Sequence, residues 1–64
     1  DDQFTERMDI FFANPHHPLL HDHALTGDLA GFRSFSISGD IRVIYAYEGD
    51  EIAFYDVGSH NQVY

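Results

Sequence analysis

The sequence contains no cysteine, no lysine and no tryptophan, and it sets three arginines against eleven acids. Without cysteine there is no disulfide framework, no thiolate metal site and no cysteine nucleophile. That absence agrees with a reducing compartment, so a cytoplasmic location is expected. The scarcity of cations leaves a formal charge of -8 at pH 7. A field of this sign repels phosphate and membrane surfaces alike at long range, which disfavours generic nucleic-acid binding. No apolar run approaches the roughly 20 residues needed to span a bilayer, and no signal-peptide pattern opens the chain. A soluble protein with no membrane partner is the expectation. At 44% hydrophobic and 16% aromatic, the chain has enough core formers to exclude disorder. Its 64 residues suffice for one domain, expected over 1–64. A chain of this size buries roughly 60% of its unfolded surface, so a lone core is marginal without a staple, and none is visible.

The first segment carries Phe4, Met8, Phe11 and Phe12 at offsets 0, 4, 7 and 8, the stripe of an amphipathic helix from Asp2 to about Ala13. Asp2 is read as its N-cap, and Glu6 lies where the helix dipole favours negative charge. Pro15 biases Asn14 out of the helical region and ends the helix. From Pro15 to Gly31 the periodicity fails, and His16, His17, His21 and His23 accumulate. This stretch reads as an ordered connector pinned by Leu19, Leu20, Leu25 and Leu29.

Beyond Gly31 the pattern becomes short aromatic and β-branched runs. Phe32–Ser38, Ile41–Tyr47 and Glu51–Val57 read as three strands, separated by Gly39-Asp40 and by Glu48-Gly49-Asp50. Two tight connections in a row predict an antiparallel meander. In the second strand Ile41, Val43, Tyr45 and Tyr47 share a face opposite Arg42, Ile44 and Ala46. In the third, Ile52, Phe54 and Asp56 oppose Ala53, Tyr55 and Val57. The segment Gly58 to Tyr64 reads as a further loop or short strand. The fold class expected is α+β, one main helix on a small twisted antiparallel sheet of three to four strands. An uncovered sheet edge and a two-sided apolar sheet make a homo-oligomer the expected state.

Four pieces follow one another in a telling order: His23-x-Leu25-x-Gly27, Gly31-Phe32-Arg33-Ser34 opening a strand, Asp40-x-Arg42-x-Ile44-Tyr45 in the next, and Gly58-Ser59-His60 near the end. Together they resemble the C-terminal part of the RelE/ParE superfamily of toxins from type II toxin-antitoxin modules, and within it the YafQ-like, RelE/StbE ribonuclease branch. The likeness runs from about Asn14 onward, and the preceding helix matches the second helix of such toxins. The strand and basic first helix that open the family have no counterpart here, so a domain truncated at its N-terminus is expected.

The resemblance implies a metal-independent endoribonuclease that cleaves mRNA, usually on the ribosome, using the RNA's own 2'-hydroxyl as nucleophile. Such chemistry needs a base, donors for a charged phosphorane-like transition state, and an acid for the leaving 5'-oxygen. By motif position, His60 is the first candidate for acid or base and His23 the second. Arg42 matches the phosphate-stabilising arginine, Asp40 an acidic position in the turn, and Tyr64 a terminal aromatic that stacks on a base. Arg33 is a further candidate for substrate binding. Ser34 and Ser36 depart from the branch, which carries an aspartate and a histidine there. No cofactor is implied; the partners are a cognate antitoxin, mRNA and the ribosome.

Two other classes compete. The run HHPLLHDH suggests a zinc or nickel site through His17, His21 and His23, but proline between the first pair spoils a helical arrangement, and no metal site is expected. ParE-like relatives lack the nuclease residues, which makes a toxin that only binds antitoxin or itself the alternative.

Overall fold

The computed structural model describes residues 2–59. Its elements are helix α1 (Asp2–Ala13) and strands β1 (His23–Ala24), β2 (Arg33–Ser36), β3 (Ile41–Glu48) and β4 (Glu51–Ser59). Single 3-10 turns at Pro18–Leu20 and Gly27–Leu29 interrupt the connector. The four strands form one antiparallel sheet in the order β1-β2-β3-β4, with α1 packed on one face.

α1 has the bounds its periodicity predicts, and it ends where expected. The Asn14 N–H closes the last turn on the Ile10 carbonyl at 2.8 Å, after which the Asn14 side chain accepts from the His16 N–H at 3.1 Å. Asp2, expected as the cap, is instead the first helical residue, where its carboxylate still meets the positive end of the dipole. Only part of the apolar stripe is buried. Phe11 is fully enclosed and Met8 packs beside it, whereas Phe4 and Phe12 remain exposed. The Phe11 ring stacks on Phe35 at 4.4 Å and meets the edge of Tyr45 at 4.9 Å. Phe11, Leu20, Phe35, Ile37, Val43 and Tyr45 make up the core.

The connector is held by Leu20, which is fully buried; Leu25 and Leu29 are half-buried, and Leu19, expected as an anchor, stays out. The connector also contributes β1, a two-residue strand too short to leave a periodic signal. β1 pairs His23 with Ser34 and Ala24 with Arg33. The β2–β3 connection is a local side-chain device. Ser38 Oγ accepts the N–H groups of Asp40 and Ile41 at 3.3 and 3.1 Å, while the Ile41 carbonyl accepts from Ile37 and Ser38. β2 is consequently shorter than its predicted span. β4 is longer, running through Gly58 and Ser59. The β3–β4 hairpin turns on Gly49 with φ of 65°, a backbone that only glycine adopts without strain.

One prediction of facing fails for an identifiable reason. The pairing runs Ile44 with Asp56 but Tyr45 with Phe54, so Tyr55 is an extra residue, a β-bulge. The bulge reverses the alternation. Ile52, Phe54 and Val57 therefore share the helix side with Val43 and Tyr45, and Asp56 joins Ala53 on the other.

Replacing Phe11 by alanine should cost about 3–5 kcal/mol, most of what a domain of this length has at about 0.05–0.15 kcal/mol per residue. Phe12→Ala, at a side chain 62% exposed, should change stability by less than about 0.5 kcal/mol. Chemical denaturation followed by circular dichroism checks both; an unchanged midpoint for Phe11→Ala would contradict this account of the core.

Candidate active site

A cleft of about 430 Å³ lies between the first half of α1, the connector and the β2–β3 end of the sheet. Arg7 reaches it from α1, His21 from the connector, His23 from β1 and Arg42 from β3. Ser36 and Ser38 add hydroxyls. None of the eleven acids is among the described residues lining it, although acids outnumber cations almost four to one in the chain. In a molecule of charge -8, two arginines and two histidines around a cleft without acids among its described lining residues form a local anion-attracting region.

The local fold explains how the histidines are set. His17 Nδ1 accepts the Leu19 N–H at 3.1 Å and caps the 3-10 turn, which gives that residue a structural task. His21 ends the turn in the left-handed region, φ 49°, its N–H donating to the Pro18 carbonyl at 3.3 Å. This conformation is uncommon for a residue with a side chain, histidine being among the more tolerant. It turns the His21 carbonyl toward the ring two residues on, so His23 Nδ1 lies 2.9 Å from that oxygen. A carbonyl only accepts, so Nδ1 is the protonated nitrogen. In the neutral ring Nε2 then carries the lone pair, the form suited to a general base. Across the sheet, His23, Ser34, Ile44 and Asp56 are successive partners in one row. Ser36 pairs with Arg42 in the row beside it.

His23 and Arg42 are thus brought to one cleft. Asp40 is exposed in the adjoining turn, next to Gly39, which lines the cleft while Asp40 itself does not. Arg33 stands apart, on the helix side of the sheet beside Tyr45. Its guanidinium pairs with Asp22 at 3.1 Å and its Nε donates to the Tyr45 hydroxyl at 3.3 Å. His60 and Tyr64 lie outside the described residues. Ser34 and Ser36, the departures from the expected pattern, are both buried. Among the described residues, no three of His, Asp and Glu gather as a metal-binding group. Two features escaped the sequence reading: Arg7, whose only signal was that cations are so few, and the Asp22–Tyr45–Arg33 cluster, whose members are too far apart in sequence to suggest one another.

The comparisons with known proteins agree with this fold. The helix-on-sheet arrangement is that of RelE-like toxins. Residues 3–64 match the family model for YafQ, the bacterial toxin of type II toxin-antitoxin systems, and the chain belongs to that family. A copper-bound point mutant of a toxin from Helicobacter pylori superposes with TM-score 0.81 at 29% identity, over 100% of this chain and 75% of that one. YafQ from E. coli gives 0.81 at 20% identity, over 98% and 72%. A conserved hypothetical protein of Helicobacter pylori gives 0.63 at 30% identity, over 95% and 72%. No curated protein sequence matches. A toxin of a type II module implies an antitoxin as partner. No helix among the described residues is long and apolar enough to cross a membrane.

The buried cluster yields a pH dependence. Burial, and then donation from its hydroxyl to Asp22 Oδ1 at 2.7 Å, push the Tyr45 phenol well above its usual 10, with Arg33 pulling the other way. The folded state therefore favours the protonated phenol. That contribution is complete below the unfolded value of about 10 and is lost as the pH rises above it toward the folded value. Denaturation midpoints of the parent should fall steeply above pH 10, and Tyr45→Phe should remove part of that slope. An equally steep fall in Tyr45→Phe would contradict the assignment.

Proposed function

We propose that the chain is a metal-independent endoribonuclease of the YafQ type, cleaving mRNA held on the ribosome, with the cleft as its site. The observation that supports this most is the meeting of His23, in its Nε2-basic tautomer, with Arg42 in a cleft free of acids among its described lining residues. In the reaction, a base takes the proton from a 2'-hydroxyl, whose oxygen attacks the adjacent phosphorus. The bond to the 5'-oxygen breaks, an acid protonates that leaving oxygen, and a 2',3'-cyclic phosphate remains. His23 takes the first proton and His60 supplies the second. Arg42 stabilises the charge that develops on the non-bridging oxygens. Asp40 orients groups at the turn, Tyr64 stacks on a base, and Arg33, tied to Asp22, offers at most an outlying contact to substrate. The reaction belongs where ribosomes are, in the cytoplasm. Because the bulk field repels RNA, the ribosome's hold on the message supplies the encounter that electrostatic steering cannot.

His23→Ala and His60→Ala should each slow cleavage of ribosome-bound mRNA by roughly 10²- to 10⁴-fold. Arg42→Ala should remove a few kcal/mol of barrier stabilisation, about 10²- to 10³-fold, with melting little changed. Cleavage untouched by all three substitutions would refute the site. No cleavage by the parent would favour the reading in which the toxin only binds.

Self-association has its own support. β4 is the outer strand of the sheet among the described residues, and Phe12, Phe54 and Tyr47 stand exposed beside it. Pairing of two β4 edges would cover them. Sedimentation at micromolar concentration should show a dimer or larger species; a folded monomer would contradict this.

A further inference from the structure

Arg7 has no part in the motifs that identify the family, yet it shares the cleft with Arg42. Its contacts differ from those of the chain's structural arginine. Arg33 is neutralised by Asp22. Arg7 makes one hydrogen bond, from Nη1 to the Leu19 carbonyl at 3.2 Å, and its Nε is buried with no hydrogen-bond partner among the described residues. A guanidinium carries five donors, and a buried charged donor left unmatched is costly. In a chain with eleven acids a carboxylate at this place would have been the simple remedy, but none of the described lining residues is acidic. The Nε is closed to solvent, but the half-exposed guanidinium lines the cleft, and its remaining Nη donors are suited to an anion that arrives from outside. Leu19 holds one arm of the fork, which reduces the entropy lost when the other donors engage a ligand.

We propose that Arg7 and Arg42 together form a two-arginine phosphate site, with Arg7 gripping a phosphate of the bound RNA strand from the helix side. The inference builds on the nuclease reading by assigning a substrate-holding residue, but it concerns binding and stands or falls without cleavage. Arg7 is a positioning residue in this scheme: it holds the strand while Arg42 and the histidines serve the reacting phosphate.

The test uses the full chain with two probes, a 2'-O-methylated trinucleotide RNA that cannot be cleaved and inorganic phosphate, titrated by calorimetry at several salt concentrations. Arg7→Gln keeps the helix propensity and a donor for Leu19. It should weaken RNA binding at least tenfold and lower the salt slope by about 0.7, the release expected for one lost cation on a single strand. Arg7→Lys should recover part of the affinity, and the exposed-site control Thr5→Ala should match the parent. Circular dichroism confirms that each variant is folded. RNA binding tighter than inorganic phosphate assigns the site to a nucleic-acid phosphate, while equal affinities, both reduced by Arg7→Gln, assign it to a free phosphate anion. Parent and Arg7→Gln binding with the same affinity and salt slope, or no binding of either probe by the parent, would overturn the proposal. Binding lost in Arg7→Gln with a parent that cleaves no RNA would leave this site standing and remove the nuclease reading alone.

Discussion

The packing of Phe11 against Phe35 and Tyr45 is the contact on which the rest depends. One helix and a four-stranded sheet offer a single interface, and this ring fills its centre. Register follows from it. Arg7 and Gln3 lie four and eight residues before Phe11 on the same helical face, so fixing Phe11 on the sheet brings that face over the cleft. On the other side of the interface, Tyr45 receives Phe11 with its ring and extends its hydroxyl to Asp22. Asp22 stands between His21 and His23, so the core contact and the setting of the two histidines are joined through one short segment.

Charge is distributed with a similar economy. Among the described residues, the acids are spread over the helix, the connector, the turns and the last two strands, while two of the three arginines line one cleft and the third is neutralised by Asp22. A uniformly acidic exterior repels polyanions that approach freely. In the proposed reading, a local cationic cleft still binds a phosphate delivered at short range, where direct contacts outweigh a screened field. These two scales account for a family whose proposed substrate is RNA appearing here on a chain of charge -8.

Much of the fold is legible in the sequence because it rests on periodicity and turn chemistry. The helix stops where Pro15 predicts, and the hairpins turn at Gly39-Asp40 and at Gly49, although Asp2 enters the helix rather than capping it and the Ser38 hydroxyl's part in the first turn left no signal. What was not legible depends on contacts without a local signature. β1 is two residues long and exists through its pairing with Ser34 and Arg33. The bulge at Tyr55 inverts the facing of Asp56 and Val57, which strict alternation assigned the other way. Phe4 and Phe12 satisfy the helical stripe yet stay exposed, although the Phe12 ring still meets the edge of Phe54 on β4 at 6.2 Å. Of the site, Arg42 and His23 were found through the order of the motifs, whereas Arg7 sits in a helix whose pattern spoke only of core. The Asp22 cluster joins residues 11 and 23 positions apart, a link that only the folded chain makes.

The most direct measurement of the central claim is the chemistry of the ends left on a cleaved message. Ribosome-bound mRNA is incubated with the full chain, and the fragments are read by mass spectrometry. Attack by the RNA's own 2'-hydroxyl leaves a 2',3'-cyclic phosphate, or the 3'-phosphate formed by its hydrolysis, opposite a 5'-hydroxyl. Fragments bearing 5'-phosphate and 3'-hydroxyl ends would contradict the account.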